Sequence, residues 1–400
     1  MSGLAGIQVV RDAQHFMEQA HLSGWLIHDY RHSNPVFHEL VPAEGMITRP
    51  CFLWVPRGGK EATLLVHHVD AGKFNDSGIP TTVYRSRNEL LAKLKALLPH
   101  SKPIAMEYSP LATLPRNSRV DAGTLELVRS LGVEVQSSAD LLQFATQRWT
   151  DVQIETHRSA AKKLGQIVHE AFAFIGRNHR QFVTEHMVAE YIRHLFKDMH
   201  LTVPDGPIVA VNKHASDPHY EPTSAVSSPI RKGDWVLIDL WAREDDPPEA
   251  VYADITWVAM VGDPPNAKHQ EVFDAVVGAR DAALEFLRQS HADGKTVQGW
   301  EVDKVARDFI TERGYGEYFT HRLGHSIGRE VHGEAVNMDG FETHDTRPVI
   351  PGIGFSIEPG IYLPEFGMRS EINVFMTENG PEPSPPIQRE IVIIPTSGIQ

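Results

Sequence analysis

Four carboxylates sit inside apolar runs that read as buried strands. They are Asp239 in Trp235-Val-Leu-Ile-Asp-Leu240, Asp254 in Val251-Tyr-Ala-Asp-Ile-Thr256, Glu358 in Phe355-Ser-Ile-Glu-Pro-Gly360 and Glu371 in Ser370-Glu-Ile-Asn-Val-Phe375. An ionised carboxylate without a partner is strongly disfavoured in such surroundings, so a fold that buries all four must also bring them a cation. His325, within His321-Arg-Leu-Gly-His325-Ser-Ile-Gly-Arg-Glu-Val-His332, adds a ring nitrogen. Two Asp, two Glu and one His suit a pair of divalent ions such as Mn, Co, Fe or Zn rather than a thiolate-seeking metal, and the abundance of carboxylates tilts the expectation to Mn2+.

The same four acids mark an internal repeat. A long helix expected over about 155 to 177 and a shorter one capped by Thr184 precede Gly233-Asp-Trp-Val-Leu-Ile238-Asp239. A second long helix, about 268 to 288, and a shorter one after Thr296 precede Gly352-Ile-Gly-Phe-Ser-Ile357-Glu358. In both copies a Gly stands six residues before the carboxylate, Ile immediately precedes it, and a second acidic strand follows a loop. Two helix-helix-hairpin units packed about a pseudo-twofold would bring the carboxylates to one central point. Within each hairpin, facing side chains on paired strands lie about 5 Å apart, close enough to share an ion. A single one of these acids would more often be a satisfied structural carboxylate; four in hairpins beside a His-rich loop reverse that expectation.

The first 145 or so residues look different. Gly24–Ile27, Phe52–Val55, Ala62–Val66 and Ile104–Met106 read as strands, and Glu89–Leu98 and Leu125–Leu131 as helices, a small α/β domain without a chemical motif of its own. The polar stretch from Thr146 to Gln153 places the boundary, giving domains 1–148 and 149–400. A single Cys among 400 residues rules out an intramolecular disulfide framework. The net charge of -14, without a basic face, excludes ordinary nucleic-acid binding. The N-terminus lacks a signal-peptide pattern and no run of about 18 apolar residues occurs, so a cytoplasmic protein without a membrane partner is expected.

The ordered set Asp239, Asp254, His325, Glu358, Glu371 resembles the metallopeptidases of the pita-bread fold, which include methionine aminopeptidase, aminopeptidase P and prolidase, with creatinase as a metal-free relative. The likeness spans roughly residues 150 to 395. It is strongest to the proline-specific branch in Pro218-His219-Tyr-Glu-Pro-Thr223, His321-Arg-Leu-Gly-His325, Glu330-Val-His332, Ile357-Glu-Pro-Gly-Ile-Tyr362 and Gly367-Met-Arg-Ser-Glu371. The N-terminal half resembles the creatinase-type domain of those enzymes.

The resemblance implies two divalent metals, with Asp239 on one, Glu358 and His325 on the other, and Asp254 and Glu371 bridging. It implies a metal-generated hydroxide as nucleophile, Glu358 as proton shuttle, and His219, His321 and His332 around the substrate and its oxyanion. Arg369, two residues before Glu371 on the same strand face, is expected either to grip a substrate carboxylate or to balance the acidic nest. Tyr362 is either a substrate contact or a packed core aromatic. Ser326, Gly333 and Trp257 depart from the usual family text without removing a ligand, which leaves specificity open. The expected activity is hydrolysis of the Xaa-Pro bond, leaning to a dipeptidase of prolidase type. Aminopeptidase P is the alternative, and a creatinase-like amidinohydrolase or an inactive binding module are those of other classes. The family also implies a homodimer.

Overall fold

The structure is a computed structural model that describes residues 3–396. The chain separates into two compact units, Met1–Gln147 and Arg148–Gln400.

In the first unit the elements run α1 (Gly3–Gln19), β1 (Gly24–Asp29), α2 (Pro35–Leu40), β2 (Cys51–Pro56), β3 (Thr63–His67), β4 (Thr81–Tyr84), α3 (Arg87–Leu97), β5 (Pro103–Met106), α4 (Ala122–Ser130), β6 (Glu134–Ser137) and α5 (Ala139–Thr146). The six strands form one mixed sheet in the order β4-β3-β2-β1-β5-β6. Strand β1 is buried on both faces, with Trp25 and Ile27 in one apolar core and Leu26 in the other, which is why its sequence shows no polar alternation. Helices α3 and α4 start before their apolar patterns because Ser86 and Asp121 cap them, accepting from the N–H groups of Glu89 and Thr124.

The second unit carries α6 (Asp151–Asn178), α7 (Glu185–Asp198), β7 (Leu201–Thr202), β8 (Ile208–Val211), β9 (Trp235–Glu244), β10 (Ala253–Val261), α8 (Ala267–Ala292), α9 (Gly299–Glu312), β11 (Ser326–Ile327), β12 (Gly354–Ile357), β13 (Gly360–Tyr362), β14 (Gly367–Arg369), β15 (Ile372–Thr377), β16 (Gly380–Pro383) and β17 (Val392–Ile394). Helix α6 begins earlier than its apolar stripe because Thr150 and Gln153 form a capping box.

The repeat is visible in the backbone. Gly233 and Gly352 both adopt left-handed angles, φ +89° and +94°, and each donates its N–H across the turn, to Val261 and Met376 respectively, at 2.7 Å. Thr184 bridges to Pro229 just before α7, and Gln298 to Pro348 just before α9. The first copy forms the sheet β17-β10-β9-β7, with β8 also on β9; the second forms β11-β12-β15-β16. Side-chain amides reach where no strand pairs. Asn373 accepts from the Asp254 N–H at 2.8 Å and donates to its carbonyl at 2.6 Å, and Gln388 treats Val258 the same way at 2.9 and 2.7 Å. The Asn373 clip joins the two acidic hairpins, and the Gln388 clip holds the segment before β17 to β10. Among the described residues, no helix is long and apolar enough to cross a membrane.

Candidate metal centre

The β9–β10 register pairs Asp239 with Thr256 and Asp254 with Trp241. The two Asp therefore lie diagonally on one face, one rung offset rather than opposite. In the second copy the β12–β15 ladder closes with Ile357 facing Ile372, so Glu358 and Glu371 follow just beyond its last rung. Asp239, Asp254, His325 and Glu371 are between 2% and 8% exposed.

These side chains converge. One ligand atom from each of Asp254, His325 and Glu371 lies within 4.8 Å of the others. His325 Nε2 stands 3.6 Å from Asp254 and 3.4 Å from Glu358. Its Nδ1 lies 3.1 Å from the Ser326 carbonyl, an acceptor only, so the ring proton belongs on Nδ1 and the Nε2 lone pair faces the carboxylates. Burial also keeps this imidazole below its ordinary pKa.

The acids are poorly compensated by protein groups alone. Burial, then the charge of Asp239, holds the Asp254 carboxyl well above the usual range, and burial with the Asp254 charge does the same to Glu371. Burial pushes Glu358 up to about 7. Asp239 Oδ1, Asp254 Oδ1 and Glu371 Oε1 are buried without a hydrogen-bond donor. Unpartnered carboxylate oxygens around a neutral imidazole nitrogen are the donor set of a hard divalent cation, and the residues present fit such an ion.

One cation of the protein does enter the nest. Arg369, 3% exposed, donates to Asp239 at 2.6 Å, Thr256 Oγ1 at 3.1 Å and the Tyr362 hydroxyl at 2.8 Å. All three guanidinium nitrogens are thus engaged inside the protein, which favours the counter-charge reading of Arg369 over a substrate clamp. Tyr362 bonds in turn to His321 Nε2 at 2.7 Å, and His321 Nδ1 lies 2.6 Å from the Arg322 carbonyl. The carbonyl can only accept, so Nδ1 carries the proton and Nε2 receives the Tyr362 hydroxyl. Burial and the Arg369 charge push this imidazole down to about 3. His321, expected among the groups around the substrate, has in this arrangement both ring nitrogens taken, one by the Arg322 carbonyl and the other by the Tyr362 hydroxyl. His332 is exposed, its ring 4.3 Å from that of His325. His219 is exposed on the loop after the short turn Asn212–Ser216, outside the hydrogen bonds of the carboxylate cluster.

Several supporting residues were not singled out from the sequence. Thr256 donates to Glu371 at 3.0 Å, and Ser356 accepts from the His325 N–H at 2.9 Å while lying 3.3 Å from Glu358. Thr256 stands two residues from Asp254 on β10, and Ser356 two residues before Glu358 at the end of β12, so the period-2 rule points to both. Glu185 is a less visible case. Completely buried, it accepts from Val211 N–H (2.8 Å), His214 (2.9 Å), Tyr220 hydroxyl (2.6 Å) and Ser228 N–H (2.6 Å), tying the loop of His219 to the start of α7. Its donors are scattered over 18 residues of loop, and nothing in their spacing announces the convergence.

A repeated α/β scaffold that focuses two Asp, two Glu and a His on one buried point defines a pita-bread metallopeptidase. Residues 156–378 match Metallopeptidase family M24, and the chain belongs to that family. An uncharacterised peptidase of Staphylococcus saprophyticus is 32% identical over 64% of this chain and 68% of its own length. The Xaa-Pro dipeptidase of Pyrococcus furiosus is 28% identical over 84% of this chain and 87% of its own. The solved dipeptidase PepE of Mycobacterium ulcerans superposes with a TM-score of 0.75, covering 99% of each chain at 24% identity, and shares the fold.

Proposed function

We propose that this metallopeptidase hydrolyses the Xaa-Pro bond with a pair of divalent metals, Mn2+ first among them, leaning to dipeptides. The observation that carries the reading is the convergence of Asp239, Asp254, His325, Glu358 and Glu371 with three carboxylate oxygens lacking any donor. The likeness to the Xaa-Pro dipeptidase of Pyrococcus furiosus supports the proline preference. Metal held by these five residues supplies Lewis-acid polarisation of the scissile carbonyl and a water of lowered pKa.

The chain's own groups do the rest. Glu358, partly buried beside His325, takes a proton from the attacking water on a carboxylate oxygen and returns it to the leaving prolyl nitrogen. His332, exposed beside His325, donates to the carbonyl oxygen as negative charge develops there. Arg369 cancels charge on Asp239, and Tyr362 with His321 fixes the guanidinium in place. His219 closes over the substrate from its exposed loop. A cytoplasmic homodimer belongs to the same reading through the family resemblance.

Aminopeptidase P remains the second reading, favoured by one observation: each guanidinium nitrogen of Arg369 already donates inside the protein, which weakens the clamp expected for a dipeptide's carboxylate. Comparing Xaa-Pro dipeptides with Xaa-Pro-Xaa tripeptides after Mn2+ loading separates the two. Faster dipeptide cleavage supports the first; equal or faster tripeptide cleavage moves the chain to the second, and inactivity on both overturns the proline reading.

A further inference from the structure

Beside the carboxylates stands an aromatic side chain that the mechanism does not use. Trp241 shares a rung with Asp254, and Asp239 precedes it by two residues, so all three point from the same face of the β9–β10 hairpin. Its indole lies over Gly206, where a Cβ would overlap the ring, and its Nε1–H donates to Asp205 at 3.2 Å. The ring is only partly buried. It packs against both the main core of the unit and a smaller cluster containing Val251, Tyr252, Ile327 and Val331. Val331 immediately precedes His332. A flat apolar wall therefore begins about 5 Å from a carboxylate of the metal centre, the spacing of facing side chains.

We propose that Trp241, with Tyr252 and Val331, contacts the side chain of the residue before the scissile bond and makes the enzyme prefer apolar Xaa. This rests on the Xaa-Pro reading. Charge chooses the flank. Arg369 lies against Asp239 and Thr256, one rung, about 7 Å, further along the hairpin, with each guanidinium nitrogen already donating inside the protein, so it does not orient the peptide. At the Trp241 end the exposed Asp205 carboxylate sits at the indole edge, while the nearby Arg243 is engaged with the Pro248 carbonyl and the Tyr252 ring. A carboxylate beside an aromatic face stabilises an ammonium, which only the N-terminal residue of the substrate must carry. With the ammonium near Asp205, the side chain of that residue falls against the wall.

The test measures kcat/KM for Gly-Pro, Ala-Pro, Leu-Pro and Phe-Pro with the full-length, metal-loaded wild type, Trp241→Ala, Trp241→Phe and Val331→Ala. The wild type should favour Leu-Pro and Phe-Pro over Gly-Pro. Trp241→Ala should lower the Leu-Pro to Gly-Pro ratio by about tenfold or more, chiefly through KM, since removing a pocket contact is worth that much discrimination. Trp241→Phe should keep most of the ratio, and Val331→Ala should lower it by a smaller factor, which preserves the test should Trp241→Ala fold poorly. An unchanged ratio with both substrates slowed equally overturns the wall, and so does a rising ratio, which would make the indole a steric limit. Failure of the metal-loaded wild type to cleave both these dipeptides and Xaa-Pro-Xaa tripeptides is a different result: it sinks the parent reading and the wall together.

Discussion

The two copies of the repeat in the second unit share a backbone and differ in how they hold their loops. At the start of α7 the residue after the cap is Glu185, a buried anion collecting four donors from the loop that bears His219. At the equivalent place in α9 stands Gly299, whose N–H donates to the Arg347 carbonyl and where a Cβ would overlap the Asn337 carbonyl oxygen. The first copy ties its loop with a charged hub and leaves most of residues 217–226 exposed; the second packs backbone on backbone and buries most of residues 333–339. One topology thus carries an exposed loop held by a charged hub and a buried segment that follows His332. The difference lies in polar side chains rather than in the course of the chain.

The largest expected effect tests whether the copies contribute equally to the metal. Asp254→Asn in the first and Glu371→Gln in the second should each lower activity about a thousandfold or more, a loss of about 4 kcal/mol in transition-state stabilisation, and both should reduce bound metal on elemental analysis. Without metal, both variants should melt above the wild type, because each removes a carboxylate that burial and its neighbours already disfavour. A fully active Asp254→Asn enzyme would break the symmetry and the two-metal reading with it.

Next in size is the contrast between hub and packing. Gly299→Ala forces a methyl into the Asn337 backbone and should destabilise the protein by about 3 kcal/mol in denaturant titration, with kcat per folded molecule little changed. Glu185→Gln keeps the size but loses the charge and half the acceptors. It should lower turnover about tenfold at unchanged metal content and cost about 2 kcal/mol of stability, because buried donors of the His219 loop lose their acceptor. Equal losses of turnover per folded molecule in the two variants would erase the distinction between the loops.

Smaller still is the effect expected of the Arg369 supports. Tyr362→Phe removes the hydroxyl that joins Arg369 to His321, and each should lose about 1 kcal/mol of support, seen as a several-fold fall in kcat without loss of metal. His321→Ala in the Tyr362→Phe background should add little, since both act on one guanidinium. A large additional loss would restore His321 as an independent group at the substrate.

Much of this centre was legible because its residue types conflict with their surroundings. Asp239 and Glu358 stand in runs that ought to be apolar, and the glycines six residues before each mark the same left-handed turn in both copies. The helices α6 to α9 followed from apolar stripes, with ends displaced by caps such as Thr150. Elements set by tertiary contact were not legible: α1 and α5 were missed, as were the short edge strands β4 and β6. The diagonal offset of Asp239 and Asp254 depends on ladder register, which the loop composition does not fix. The direction of hydrogen bonding at His321 was equally hidden. Its motif position suggests a donor, and only the Arg322 carbonyl on one nitrogen and the Tyr362 hydroxyl on the other show that none is free.

The smallest effect, a shift of a few degrees in melting temperature, concerns the pH at which metal joins the two halves. Glu358 is raised to about 7 in the fold, and Asp254 and Glu371 are also raised, so the metal-free folded state keeps protons that the unfolded chain releases near pH 4.5. Metal-free stability from Glu358 should fall as pH rises from about 4.5 through 7, and the raised Asp254 and Glu371 act in the same direction. Metal needs the same oxygens deprotonated and displaces those protons, so the stabilisation it adds should grow across that window and level off above it. His157, buried between the Tyr252 carbonyl and Ser384 and pushed down to about 4, acts with the opposite sign: folded stability falls as pH drops below 6.5, where the unfolded imidazole takes up its proton. That term is common to metal-free and metal-loaded protein and cancels in their difference. Thermal melts with and without Mn2+ between pH 5 and 8 should therefore diverge with rising pH, and Glu358→Gln should flatten the divergence. A gap that is constant or shrinks with pH would mean that metal binds without displacing protons from this cluster, and that the raised carboxylates of the second copy are not its ligands.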